Sequence, residues 1–533
     1  MIRPVEWDDF VGALNFEELY HPLPVLARWL TYQALPNGIV FQCATHLWGD
    51  ERPVSVQVEA VFPDVVRFRM RQGVIMNRPS DMLVDDQWAP PKITLDRSAR
   101  GLYLRTERLL VEFRRDPWQM CAYERGRLDL PFFRQQVDDR CYGPAYESPP
   151  IGFLEDPQGR LSVHESVAVA PGEALYGFGE KFTPLNKWGQ CFASWATDSG
   201  NVSSYRAYKN IPFWMSSAGY GIFAHSSYPM MYQLGSESAI SYTFHVLAEE
   251  LDYFLIYGPT FKHILKRYGD LTGRAPVPPK WSLGLWISRC GYKNREEVEK
   301  VAAGFRARGL PLDVISLDPW WMGGGPWTKL EWDEGAFPDP AGMMAELRKQ
   351  GVRTCLWIHP YLPKGSALCD EALASGYLVK KPDGSPSRVI EPFTAGELYA
   401  VDFTNPDASA WWQGKLETLL DMGAAVFKTD FGEQAPVDAL YHDGRDGLEM
   451  HNLYPLLYNK TVFELTQRKF GRGLTWGRSA YAGSQRYPVQ WGGDSYASLD
   501  QMACQLRGLL GYGMSGVPFC SHDVGGFDYP PEA

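Results

Sequence analysis

Two rhythms of apolar and polar positions divide the chain. Up to about residue 270, short runs alternate apolar and polar side chains as half-buried antiparallel strands do; Val54-Ser55-Val56-Gln57-Val58-Glu59-Ala60-Val61-Phe62 and Leu102-Tyr103-Leu104-Arg105-Thr106 are examples. Gly, Pro and Asp punctuate these runs and helical periodicity is scarce, which predicts a β-sandwich. From about 260 the rhythm changes. Strand-like runs at 281–288, 313–318, 353–360, 425–430, 473–479, 488–494 and 517–523 are separated by helix-like segments at 294–308, 342–350, 407–422, 450–469 and 498–510. Repeated βα units predict a parallel sheet, and seven strands in succession favour a TIM barrel over an open sheet. Pro276-Val277-Pro278-Pro279 resists both helix and sheet and reads as the linker into the barrel.

The strand count stops one short of the eight of a closed barrel, because residues 524–533 cannot supply a helix, a strand and a closing helix. The expected fold is therefore α/β plus all-β: an N-terminal β-sandwich over 1–265, then a (β/α)8 TIM barrel over 266–533 that lacks its eighth strand in this chain. Such a barrel leaves an open edge, so the expectation is either a fragment or completion by another chain.

Composition narrows the function. Against 52 Lys and Arg stand 63 Asp and Glu, a net charge of -11, which argues against nucleic-acid binding through clustered cations. Aromatic residues make up 14% of the 533, more than core packing needs, and flat rings suit the apolar faces of sugars. Nine cysteines, an odd number with no C-x-x-C spacing, read as reduced thiols in a cytoplasmic protein. The first residues carry no secretory apolar stretch, and no apolar run of 18 or more predicts a membrane span. His359 and His451 have no partner at metal-ligand spacing, so neither metal nor cofactor is expected. Gly177-Phe178-Gly179 is only part of a dinucleotide fingerprint and has no helix after it. The expected partner is an oligosaccharide, with a homo-oligomer left open.

A TIM barrel builds its active site at the C-terminal ends of its strands. Here those ends carry Asp318, Lys428-Thr429-Asp430, Arg478, Trp491-Gly492-Gly493-Asp494 and His522-Asp523. Carboxylates on independent strands converging at one rim suit acid, base or nucleophile roles; the plain alternative is that they pair with Lys428 and Arg478 as structural ion pairs. A carboxylate pair points to glycoside hydrolysis. The surroundings differ: Asp430 follows Lys428, which favours an ionised nucleophile, whereas Asp494 follows two glycines beside Trp491, a setting that raises a carboxyl pKa.

Phe427-Lys428-Thr429-Asp430-Phe431-Gly432-Glu433 and Trp491-Gly492-Gly493-Asp494 closely resemble the nucleophile and acid/base motifs of glycoside hydrolase family 31, and within it the bacterial α-xylosidases. Further matching stretches are Leu175-Tyr176-Gly177-Phe178-Gly179-Glu180, 333–340, Asp402-Phe403-Thr404-Asn405-Pro406 and 521–527, so that the likeness runs from about 165 to 527. The resemblance implies a retaining double displacement with Asp430 as nucleophile and Asp494 as acid/base. It implies sugar-binding roles for Asp318, Trp357, Lys428, Arg478, Trp491 and Phe527, and a loop around Gly177 that reaches the barrel mouth, where Trp188 is either a wall of the leaving-group side or a core residue. Glu433 and Asp523 are expected to orient neighbouring groups. Lys428 favours an α-xylosidase over the family's α-glucosidases; an α-glucosidase, an α-glycosyltransferase of the same family and an inactive sugar-binding fragment are the alternatives. Two departures from the pattern stand out. The aromatic that narrows the xylose pocket after strand one is not evident in Ser288-Arg289-Cys290-Gly291-Tyr292, and Pro319-Trp320-Trp321-Met322 follows strand two. The family histidine of strand eight has no counterpart in the chain, and His522 does not take its role.

Overall fold

The computed structural model describes residues 24–528 except 47–52, 86, 98, 138–147, 156–159, 325–326 and 391–395. Cys141, one of the nine cysteines, and the first residues read above lie outside the described residues.

In the N-terminal half the alternating runs form strands with the expected faces. Val54, Val56, Val58 and Ala60 of strand Pro53–Phe62 are fully buried, and Leu102 and Leu104 of strand Gly101–Arg105 point inward likewise. Thirteen strands make one antiparallel sheet with Leu175–Gly179 at one end and Gln190–Ser194 at the other. The sheet curls over its own core, since Phe178 of one end strand meets Phe192 of the other edge-on at 5.2 Å. A separate five-stranded sheet closes over the same core, with Phe113 and Trp118 against Phe41. Helix Phe261–Thr272 packs on the thirteen-stranded sheet through Ile264 and Tyr268, the latter stacked on Phe213 at 4.0 Å.

All seven strand-like runs of the second half pair in parallel and in chain order: β1 (Trp286–Arg289), β2 (Val314–Leu317), β3 (Arg353–Ile358), β4 (Val426–Thr429), β5 (Trp476–Gly477), β6 (Gln490–Trp491) and β7 (Cys520–Ser521). Consecutive order with helices outside is barrel topology. The outer helices are α1 (Arg295–Ala307), α2 (Pro340–Lys349), α3 (Pro406–Met422), α4 (Gly447–Phe470) and α5 (Leu499–Met514), with a further short helix, Ala367–Ser375, in the connection from β3 to α3 and only a 3₁₀ turn, Ser484–Arg486, between β5 and β6. Each of these six α-helices is started by an Asn, Asp or Ser whose side chain accepts a backbone N–H of the first turn. β2 and β4 are wholly buried, whereas the end strands β1 and β7 are only partly covered among the described residues.

The two halves meet through buried polar contacts. Gly179 N–H donates to Ser515 at the end of α5, Asn452 of α4 donates to the Ser227 carbonyl, and Lys209, fully buried in an ion pair with Glu180 of its own half, sits 5.7 Å from the Tyr512 ring of α5. Gly177 and Gly179 are required by close approach: a Cβ at either would lie within 2.7 Å of a backbone oxygen of the neighbouring strand, and both have positive φ. That is the physical use of the glycine pair that sequence alone likened to a nucleotide loop.

Candidate active site

Asp430 stands one residue past β4. Its Oδ2 accepts the Trp357 indole N–H at 2.5 Å, and its Oδ1 accepts the Phe431 backbone N–H at 2.9 Å. Burial alone would push its pKa up, but the charges of Arg478 and Lys428 together with those two hydrogen bonds outweigh it, and the net result lies below the usual carboxylate range. Asp494 stands past β6, with a quarter of its side chain (26%) open to the cleft. There, partial removal from water and the nearby Asp430 charge outweigh Arg478, and the carboxyl is pushed up to about 7.

One guanidinium joins the two. Arg478 lies one residue past β5, 2% exposed; its Nε is 3.0 Å from Asp430, its Nη1 3.2 Å from Asp494, and its Nη2 contacts Glu433 and reaches Asp198 at 3.4 Å. Tyr208 and Phe431 hold it between their rings at 4.8 and 4.1 Å. Glu433 is buried, with one oxygen on Arg478 and the other unpaired, and burial pushes its pKa up to about 8.

A second ion pair lies beside this hub. Lys428 Nζ is 3.2 Å from Asp318 Oδ1, and Asp318 Oδ2 accepts Ser288 Oγ–H at 3.2 Å. Burial opposes the charge on Lys428, but Asp318, Asp430, Asp523 and Asp494 more than restore it. Asp523 is pushed up to about 6, by desolvation first and then by Asp318 and Asp430 against Lys428.

The structure therefore gathers Asp318, Trp357, Lys428, Asp430, Arg478 and Asp494 at one rim. Trp491 is fully buried against Lys428, whose ammonium sits 4.7 Å from its ring centre, so its contact here is with the lysine. Phe527 stands at the rim, 42% exposed, its backbone N–H on Ser495 next to Asp494. Trp188 belongs to the N-terminal core, packed against Gly235, and Tyr292 is buried in the main core. The aromatic near β1 comes instead from the loop after β2: Trp320 covers Gly291 so closely that a Cβ there would lie 1.8 Å from its ring. Trp321 faces inward and donates to the Trp357 carbonyl at 3.0 Å. His359 is buried between aromatic rings, and His451 has both ring nitrogens on backbone carbonyls, of Ala435 and Ala196. Among the described residues no cluster could hold a metal ion.

Sequence reasoning missed the N-terminal contribution. Asp198, 280 positions before Arg478, and Tyr208, whose hydroxyl donates to Asp198 at 3.2 Å, enter the site because residue 209 bridges to Ala480 past β5. Gly493 registers that contact: its φ is +78°, and a Cβ would lie 2.2 Å from the Tyr208 ring. The paired glycines before Asp494 were the legible signal, though not of which residue fills the space.

A profile of the glycosyl hydrolase family 31 TIM-barrel domain matches residues 275–533, and one of the family 31 N-terminal galactose mutarotase-like domain matches 55–232. The chain belongs to glycoside hydrolase family 31. Among curated family 31 relatives it is 43% identical to an α-xylosidase of Emericella nidulans over 71% of this chain and 40% identical to the α-xylosidase XylQ of Lactiplantibacillus pentosus over 69%. It spans about half (49%) of the length of each. A family 31 dextranase of Flavobacterium johnsoniae, solved with glucose, superposes with a TM-score of 0.84 at 27% identity, covering 95% of this chain and 62% of the dextranase.

Proposed function

We propose that the chain carries the catalytic centre of a retaining exo-α-glycosidase that removes terminal α-linked xylose from oligosaccharides by double displacement. The observation that carries this reading is two carboxyls held by one guanidinium, Asp430 at 3.0 Å and Asp494 at 3.2 Å, in surroundings that lower the pKa of the first and push the second up to about 7. Asp430 attacks the anomeric carbon while Asp494 gives its proton to the departing glycosidic oxygen; Asp494 then takes a proton from the water that releases the sugar from Asp430. Adjacent nitrogens of Arg478 reach both carboxyls, which suits the separation of roughly 5 Å that retention requires. Asp318 and Lys428 supply a charged acceptor and donor for sugar hydroxyls.

Xylose is favoured over glucose by Lys428, by the α-xylosidase relatives, and by Trp320, which fills space beside β1 where a hydroxymethyl group would need room. Discrimination of one such group is worth about 1–3 kcal/mol. The test compares p-nitrophenyl α-xyloside with the α-glucoside: kcat/KM is expected to favour xylose by at least about tenfold, and Trp320→Ala to narrow that ratio. A preference for glucose would sink the xylose assignment. The partly covered β1 and β7 favour one other reading, a protein that binds sugar without turning it over; binding by calorimetry with no release from either glycoside would establish it.

A reducing, cytoplasmic setting belongs to the proposal, supported by free thiols at all eight described cysteines. We set the domain boundary after helix Phe261–Thr272, because that helix packs on the N-terminal sheet.

A further inference from the structure

Away from the sugar site, a groove of about 1460 Å³ runs between the N-terminal sheet and α3 and α4, and none of the residues placed in the sugar site lines it. One wall carries a hydrogen-bond relay. His225, just past strand Tyr220–Ala224, has Nε2 2.7 Å from Ser80 Oγ and Nδ1 2.7 Å from Asp252 Oδ2. With Nδ1–H given to the Asp252 carboxylate, Nε2 presents its lone pair to the serine hydroxyl. This is the connectivity that activates a serine nucleophile: hydroxyl, imidazole, then buried carboxylate.

The parts are held from several sides. Asp252 lies in strand Glu250–Tyr257 and is pinned by Arg67, whose Nε and Nη2 donate to its two oxygens at 2.9 and 2.6 Å. The same Nη2 stands 3.2 Å from His225 Nδ1. The His225 backbone N–H donates to the Asp252 carbonyl at 2.8 Å, which fixes the imidazole against its orienting carboxylate. The loop bearing Ser80 is tied across the groove by the Arg445–Asp81 ion pair at 2.9 Å and by Arg486 on the Asp81 carbonyl. Ser80 Oγ accepts the Met82 N–H at 3.2 Å, and its side chain is only half-buried, so it remains accessible from the groove. A purely structural serine needs one such bond; here the hydroxyl is added to an imidazole–carboxylate pair, whereas the other such pair of the N-terminal half, His263–Asp64 at 2.7 Å, is tied to Arg267.

We propose that Ser80, His225 and Asp252 form a second nucleophilic site that hydrolyses carboxylic esters of polar alcohols. The lining supports that substrate class. Arg71, Arg78, Glu249, Asp443 and Glu449 offer charge and hydrogen bonds to a polar alcohol, and Met76, Leu161, Leu247 and Phe403 line the same groove with apolar surface for an acyl group. In the reaction Ser80 Oγ bonds to the ester carbonyl carbon as its proton passes to His225 Nε2. The bond from that carbon to the alcohol oxygen then breaks, with the imidazolium proton going to the departing oxygen. Water, deprotonated by the same imidazole, cleaves the acyl-serine, so that ester and water become acid and alcohol. Activation of the nucleophile is what the relay supplies, so acylation by a reactive probe is the sensitive readout.

The test treats the full chain with a fluorescent fluorophosphonate and maps the modified peptide. Labelling of Ser80 is expected, absent in Ser80→Ala and slowed about tenfold or more in His225→Gln, while Asp430→Asn labels as the native chain does. Melting curves of the variants confirm that they fold. Absence of labelling in the native chain, labelling at another residue, or a rate unaffected by His225→Gln would overturn the proposal, whatever the outcome at the sugar site.

Discussion

Arg478 is where the chemistry of the candidate site is set. Six carboxyl groups, of Asp198, Asp318, Asp430, Glu433, Asp494 and Asp523, share two cations, Arg478 and Lys428, so not all of them ionise together near neutrality. The result is an ordered set of protonation states, and it predicts a pH profile. The proposed double displacement requires Asp430 ionised and Asp494 protonated. As Asp494 is raised to about 7, kcat/KM falls as pH rises through that value; as Asp430 is lowered, the acid limb lies below the ordinary carboxylate pKa of roughly 4. In Asp494→Asn the basic limb near 7 disappears, and azide restores turnover of an activated aryl glycoside by replacing water at the second step. Arg478→Lys replaces a planar fork by a point charge and is expected to cost about 10²-fold in kcat/KM through misplacement of both carboxyls.

At the scale of elements, the strand ends carry the site and the residues just behind them aim it. Gly492 and Gly493 let the segment after β6 pass under Gln505 and Tyr208, where a Cβ would lie about 2 Å from either side chain. Gly493→Ala therefore adds strain at a φ of +78° as well as overlap, an expected loss of about 1–3 kcal/mol in chemical denaturation together with a fall in kcat that exceeds the change in KM. All seven barrel strands were legible from their apolar runs, but β5, β6 and β7 contract to pairs of residues because Gly and Pro interrupt their ladders. The carboxylates, Lys428 and Arg478 were legible for the same reason that the strands were: in a barrel, the polar residue ending an apolar run faces the rim. That Trp491 packs against Lys428 was not legible, and Asp198, Tyr208 and Trp320 were missed, because their placement depends on chain crossings that no local spacing encodes.

For the whole molecule, the N-terminal sheet is part of the working site. It delivers Asp198 to Arg478, and the buried Lys209–Glu180 pair anchors the delivering segment against α5. Lys209→Met would leave Glu180 buried without its cation, at a cost of about 3–5 kcal/mol read from denaturation. If the halves are coupled as their contacts indicate, Lys209→Met lowers glycosidase activity as well as stability, although it lies outside the carboxylate set. The central claim is that Asp430 forms the covalent glycosyl intermediate, and labelling tests it most directly. A 5-fluoro-α-xylosyl fluoride forms a slowly hydrolysed intermediate with a retaining α-xylosidase. Incubation with this reagent followed by peptide mass spectrometry is expected to find one glycosyl group esterified to Asp430, with time-dependent loss of activity. A label on another residue, or undiminished turnover with none on Asp430, would contradict the account.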